Sequence, residues 1–160
     1  MEQKTKSWVS LAALTFLAAC ECCDDSVKTE EAPVVVEDDS LAKASADFIA
    51  EAGDRVFFDF DKSSLSKESE ATLERQANWL KNHPNRNLLI EGHCDERGTR
   101  EYNLGLGERR ADAAARFLTD KGIDANRIRT ISFGKDRPIA AEGSKKDVYA
   151  ANRVAISVVE

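Results

Sequence analysis

Residues 91–118 read EGHCDERGTREYNLGLGERRADAAARFL, and the rhythm changes twice along them. NLLIEG (87–92) is a short apolar run that reads as a buried strand. DERGTRE (95–101) is polar and carries Gly98, which marks a loop. From Tyr102 to Gly122 the apolar residues Leu104, Ala111, Ala114 and Leu118 fall on one helical face, and Gly122 ends the run. Strand, loop and helix in that order are one half of a βαβ unit. RVFFDF (55–60) supplies a strand before it, with Val56, Phe58 and Phe60 alternating against more polar positions. KESEATLERQANWLKNH (67–83) is a helix that Ser66 caps and Pro84 stops, with Glu68 and Glu70 at its positive end and Leu73, Ala77 and Leu80 as its stripe. RIRTISFG (127–134) and RVAISVVE (153–160) are further strands. The segment 136–151 is mostly loop with a short helix near 144–151, and residues 40–52 form a helix with Leu41, Ala44, Phe48 and Ala52 on one face. The pattern predicts an α/β (α+β) two-layer sandwich. In such a fold binding residues sit on loops at one sheet edge.

Further out the chain changes character. Residues 1–19 begin with Lys4 and Lys6 and continue as an apolar run too short to span a bilayer, which reads as a signal peptide. The run ends LAAC (17–20), which resembles the lipobox of bacterial lipoproteins. That implies cleavage before Cys20 and acylation of its thiol and amine, palmitate included. Each acyl chain adds about 0.8 kcal/mol per buried methylene, so two or three chains anchor stably where one does not. Residues 20–39 then hold eight acids against one base, Lys28, and read as a self-repelling flexible tether. Residues 40–160 balance twenty acids with twenty bases. A neutral domain lacks the basic surface that nucleic acid requires. Cys22, Cys23 and Cys94 remain as an odd set, so no disulfide framework supports the fold.

The stretch EGHCDERG (91–98) places metal-ligating and acid–base residue types side by side. Adjacent strand positions face opposite ways, so His93 and Cys94 do not share a metal, and His83 is too distant to complete a site of three or four ligands. Cysteine catalysis lacks a base in reach, and nothing in the spacing of Glu91, Asp95 and Glu96 favours a carboxylate pair. No cofactor or metal is expected. Binding is the stronger reading. Asp95 opens the loop, and Arg110 lies about two turns into the helix that returns over the sheet. An aspartate and an arginine across a groove suit a zwitterion, the carboxylate holding an ammonium and the guanidinium a carboxylate. The same two residues are equally consistent with a structural salt bridge.

The wording EGHCDERGTREYNLGLGERRADAAARFL closely resembles the core motif of the OmpA-like peptidoglycan-binding domain family, and DERGT–EYN–LGERRA resembles its peptidoglycan-associated lipoprotein (Pal) branch. RVFFDFD (55–61), SFGKDRP (132–138) and NRVAISVV (152–159) fall where that family has its other motifs. The resemblance covers roughly 54–160 and implies a βαβαβ-type domain with a mixed sheet, and the lipobox and tether complete the architecture. It implies three segments: a lipoprotein signal peptide at 1–19, lipidated Cys20 with an acidic tether to 39, and a peptidoglycan-binding domain at 40–160. It implies a non-enzymatic outer-membrane lipoprotein whose domain faces the periplasm and binds meso-diaminopimelate of the peptidoglycan stem peptide. It places the chain in the Tol–Pal system of envelope integrity and cell division, with TolB and TolA as partners. Asp95 and Arg110 fall on the family's binding aspartate and arginine, and Arg97 and Thr99 on its ligand loop. Phe60 and Asp61 fall on the loop that closes the pocket, and Leu106 on its apolar wall; for Phe60 and Leu106 a place in the core is the alternative. Two departures stand out: Cys94 replaces a small residue or threonine, and Val154 replaces an arginine. Other readings are an OmpA-like lipoprotein of a secretion or motor complex, a metal-dependent cell-wall hydrolase, and a surface lipoprotein without ligand.

Overall fold

The structure, a computed structural model, describes residues 39–160. The expected leader, lipidated Cys20 and acidic tether lie outside the described residues, except Asp39, which opens the first helix. The elements are α1 (Asp39–Glu51), β1 (Arg55–Phe57), α2 (Lys67–Asn82), β2 (Leu88–His93), α3 (Arg100–Asp120), β3 (Ile128–Gly134), α4 (Lys145–Asn152) and β4 (Val154–Val159), with a 3-10 turn at Ala125–Arg127.

The strands form one sheet in the order β1-β4-β2-β3. β2 and β3 are parallel, and β4 runs antiparallel to both β1 and β2. β1, β2 and β3 therefore share a direction. The steps from β1 to β2 and from β2 to β3 go the same way across the sheet, so right-handed crossovers put α2 and α3 on one face. The core lies between them and the sheet. Leu73 and Leu80 of α2 and Ala111, Ala114 and Leu118 of α3 meet Val56, Leu88, Ile90, Ala155 and Val159. Phe48 of α1 closes one end, edge-on to Trp79. This is the two-layer α/β sandwich that the periodicity predicts, with the mixed sheet that the resemblance implies. Ser66 caps α2, its hydroxyl accepting from the Ser69 N–H.

Two elements differ from the pattern reading. β1 ends at Phe57 rather than Phe60. The Phe58 N–H still donates to Arg153 O at 2.9 Å, but the chain then turns, Asp61 takes φ +56° and Phe60 stands 58 % exposed. The carbonyls of Asp59 and Lys62 point to Arg110 instead of a strand partner. α3 buries Asn103, Leu106, Gly107 and Arg110 ahead of Ala111, Ala114 and Leu118, so its buried face mixes polar and apolar residues in the first turns, and Leu104 lies beside that face, half-buried.

α3 approaches the sheet closely where Gly107 meets Gly92. A Cβ on Gly92 would run into the Gly107 carbonyl, and one on Gly107 would meet Ser132 Oγ and stand 2.9 Å from Gly92 O. Ser132 Oγ donates to Leu104 O at 2.7 Å across the same seam. This contact fixes the depth of α3 one turn before Arg110. Helix propensity alone makes Gly→Ala favourable by about 1 kcal/mol, whereas overpacking costs about 1–3 kcal/mol. Gly107→Ala is therefore expected to lower the urea unfolding midpoint; a raised midpoint would contradict the close approach.

Candidate binding site

The C-terminal end of β2, the β1–α2 loop and the first turns of α3 enclose a pocket of about 180 Å³. That is below the usual size of a small-molecule site and suits one head group of a longer ligand. Its lining includes Phe60, Asp61, Asp95, Arg97, Leu106 and Arg110, all six expected from the sequence, together with Cys94, Gly98, Tyr102 and Asn103. Thr99 is not among the lining residues. It caps α3, its hydroxyl accepting from the Tyr102 N–H at 3.2 Å.

Arg110 is the pocket's most constrained side chain, only 1 % exposed. Nε donates to Lys62 O at 3.0 Å, Nη2 to Asp59 O at 3.1 Å and Nη1 to His93 O at 2.8 Å, with Cys94 Sγ 3.3 Å from Nη1. The guanidinium also lies 5.3 Å from the centre of the Phe58 ring. It forms no ion pair among the described residues. Burial lowers its pKa, with Cys94 and Asp95 acting the other way, but an arginine stays charged in any protein setting. Carbonyl dipoles thus hold a buried cation whose charge no carboxylate neutralises at contact.

Asp95 belongs to a different set of contacts. It is 5 % exposed and takes Arg97 on both oxygens, Nε to Oδ1 at 3.2 Å and Nη2 to Oδ2 at 2.5 Å, with the Arg97 backbone N–H at 3.3 Å. Arg153 Nη1 stands 3.6 Å from Oδ2, fixed by its Nε donating to Phe58 O at 3.0 Å. Burial pushes the Asp95 carboxyl up, but the Arg97 bonds and the charges of Arg97 and Arg153 outweigh it and hold the group below the usual carboxylate range. The alternative of an Asp95–Arg110 salt bridge does not describe this structure.

The rest of the wall is braced from α3. Asn103 Nδ2 donates to Arg97 O at 2.7 Å and Thr99 O at 3.1 Å, pinning the loop. Tyr102 Oη donates to Asp61 Oδ1 at 2.5 Å and steadies the left-handed turn at Asp61. Sequence reasoning missed Tyr102, Asn103 and Arg153. For Asn103 a signal existed: 103, 106 and 110 share a helix face, and a polar residue on a buried stripe marks a site. Val154, at the departure from the family arginine, is fully buried in β4 opposite Phe57.

His93 and Cys94 separate as strand alternation requires. His93 stacks near Phe133, its Nδ1 3.0 Å from Arg137 O, while Cys94 Sγ faces Asn103 O and Arg110. Burial raises the Cys94 thiol pKa, with Arg110 opposing, so it stays protonated at neutral pH and is a poor nucleophile. Among the described residues no three His, Cys, Asp or Glu side chains converge as metal ligands.

The OmpA family model matches residues 57–153. The chain belongs to the OmpA family. The peptidoglycan-associated lipoprotein of Haemophilus influenzae is 34 % identical over 156 residues, 98 % of each chain. That of Rhizobium meliloti is 50 % identical over 113 residues, 71 % of this chain and 64 % of the relative's length. The crystal structure of the Burkholderia pseudomallei peptidoglycan-associated lipoprotein superposes with a TM-score of 0.64 at 41 % identity, covering 67 % of this chain and 90 % of that one. Within the family, the chain stands with the peptidoglycan-associated lipoproteins.

His93 carries a pH signature. Burial holds its pKa below the ordinary imidazole value, against the pull of Arg137 O and Glu91. The unfolded chain takes up this proton first as pH falls, so the stability involved is fully present above about 6.5 and is lost as pH falls from there toward the folded pKa. Urea titrations at pH 7.5 and 5.0 are expected to show a larger loss of stability in the parent chain than in His93→Gln. Equal losses would contradict the assignment.

Proposed function

We propose that the chain is a non-enzymatic lipoprotein that anchors the outer membrane to peptidoglycan by holding the free end of meso-diaminopimelate in this pocket. The observation that carries the reading is Arg110: a buried guanidinium without a contacting carboxylate, in one small pocket with an ionised Asp95. Diaminopimelate retains an ammonium and a carboxylate on its far stereocentre. The carboxylate supplies the anion Arg110 lacks, and the ammonium suits Asp95. Leu106 and Phe60 flank the connecting methylenes. The pocket's volume fits this head group and leaves the glycan and the rest of the stem peptide outside.

The reading extends to the cell through the family likeness and the sequence. Lipid on Cys20 holds the chain to the outer membrane, the tether spans to the wall, and the domain works in the periplasm. The resemblance to the peptidoglycan-associated lipoproteins supports membership of the Tol–Pal system, with TolB and TolA as partners.

Co-sedimentation of the full chain, in detergent, with diaminopimelate-type sacculi tests the site. Arg110→Ala would orphan three carbonyls and cost fold stability as well, so Arg110→Lys is the better probe. It keeps a cation but not the fork that meets those carbonyls. Asp95→Asn and Arg110→Lys are each expected to weaken sedimentation at least tenfold, roughly 1.4 kcal/mol, with a cooperative melt retained. Parent-like sedimentation of both would overturn the assignment.

A further inference from the structure

Asp95 is occupied before any ligand arrives. Arg97 grips both its oxygens, and the Arg97 guanidinium lies between two rings, 3.9 Å from the centre of Phe60 and 4.7 Å from that of Tyr149. Tyr149 Oη in turn donates to Glu96 Oε1 at 2.6 Å. The two cations at Asp95 are not equivalent. Arg153 has an 18 % exposed side chain and is tied to Phe58 O. The Arg97 side chain is 41 % exposed and, among the described residues, has no hydrogen-bond acceptor other than Asp95. If one cation yields to a ligand, Arg97 is the one that can leave.

We propose that Arg97 is a built-in stand-in for the ligand's ammonium, a competitor that any cation must displace from Asp95. The proposal rests on the diaminopimelate reading above. Binding exchanges one charge-assisted contact at Asp95 for another, so an ammonium by itself gains little net affinity. The net gain comes from a carboxylate reaching Arg110, which has no anion to give up. A ligand presenting only an ammonium, such as a lysine side chain, meets competition from Arg97 and receives no compensation at Arg110. A ligand presenting both charges on one carbon displaces Arg97 and is retained. The displaced guanidinium keeps the Phe60 and Tyr149 rings as its cover.

The test is titration calorimetry of the full chain in detergent with two muropeptides, one carrying diaminopimelate and one carrying lysine at the same position. Arg97→Gln removes the competing charge from an exposed side chain. The diaminopimelate muropeptide is expected to bind the variant about tenfold more tightly than the parent. The lysine muropeptide is expected to gain by a similar factor, since both ligands displace the same contact, and a gain confined to one of them would contradict a shared competitor. Weaker binding of the diaminopimelate muropeptide by Arg97→Gln, with the parent binding normally, would overturn the stand-in role and make Arg97 a direct ligand contact. Failure of the parent to bind that muropeptide would overturn the underlying reading as well. A second measurement uses the unsubstituted chain. The Arg97 Nε–H resonance, identified by its absence from Arg97→Gln, is expected to lose its hydrogen-bonded shift on saturation with the diaminopimelate muropeptide, and an unchanged resonance would contradict displacement.

Discussion

The guanidinium of Arg110 has to satisfy its N–H groups where water scarcely reaches, and three backbone carbonyls do so. Those carbonyls come from two places, the β1–α2 loop and the end of β2. One side chain on α3 therefore joins the three pieces that surround the pocket. The arrangement holds only if α3 lies close enough to the sheet, which the Gly92–Gly107 contact provides. A buried charge balanced by dipoles is stable enough to persist but leaves its field uncompensated. A pocket with that field at its base is poised for an anion.

Asp95 solves the opposite problem. Its charge has two arginine partners nearby, and these keep the carboxyl ionised despite burial. Were Asp95 and Arg110 paired with each other, both charges would be spent internally and the pocket would have little to offer a ligand. The structure keeps them in separate hydrogen-bond networks. The two networks differ in kind: Arg110 bonds to backbone carbonyls of the β1–α2 loop and the end of β2, and Asp95 bonds to Arg97 two residues along its own loop, with Arg153 close by.

Much of the fold was legible because the chain follows simple periodicities. The stripes of α2 and α3, the Ser66 cap and the apolar run of β2 all announced themselves. The end of β1 did not. Alternation placed Phe60 with Val56 and Phe58, but pattern cannot see that Arg110, far along the chain, draws the Asp59 and Lys62 carbonyls out of strand pairing. The site was legible in its type of residue more than in its wiring. Asp95 and Arg110 were identifiable as opposite charges near one groove, yet whether they paired or stood apart depended on contacts from Arg153, Lys62 and Asp59. Such partners are set by tertiary packing, and a single sequence carries no local mark of them.

The central claim is that two opposite charges in separate networks take the two ends of one zwitterion. A crystal structure of the chain with a diaminopimelate-containing stem peptide tests it most directly. The account predicts the free carboxylate within hydrogen-bond distance of Arg110 and the free ammonium on Asp95. A bound peptide whose diaminopimelate end lies outside the pocket, or enters it with the charges reversed, would contradict it.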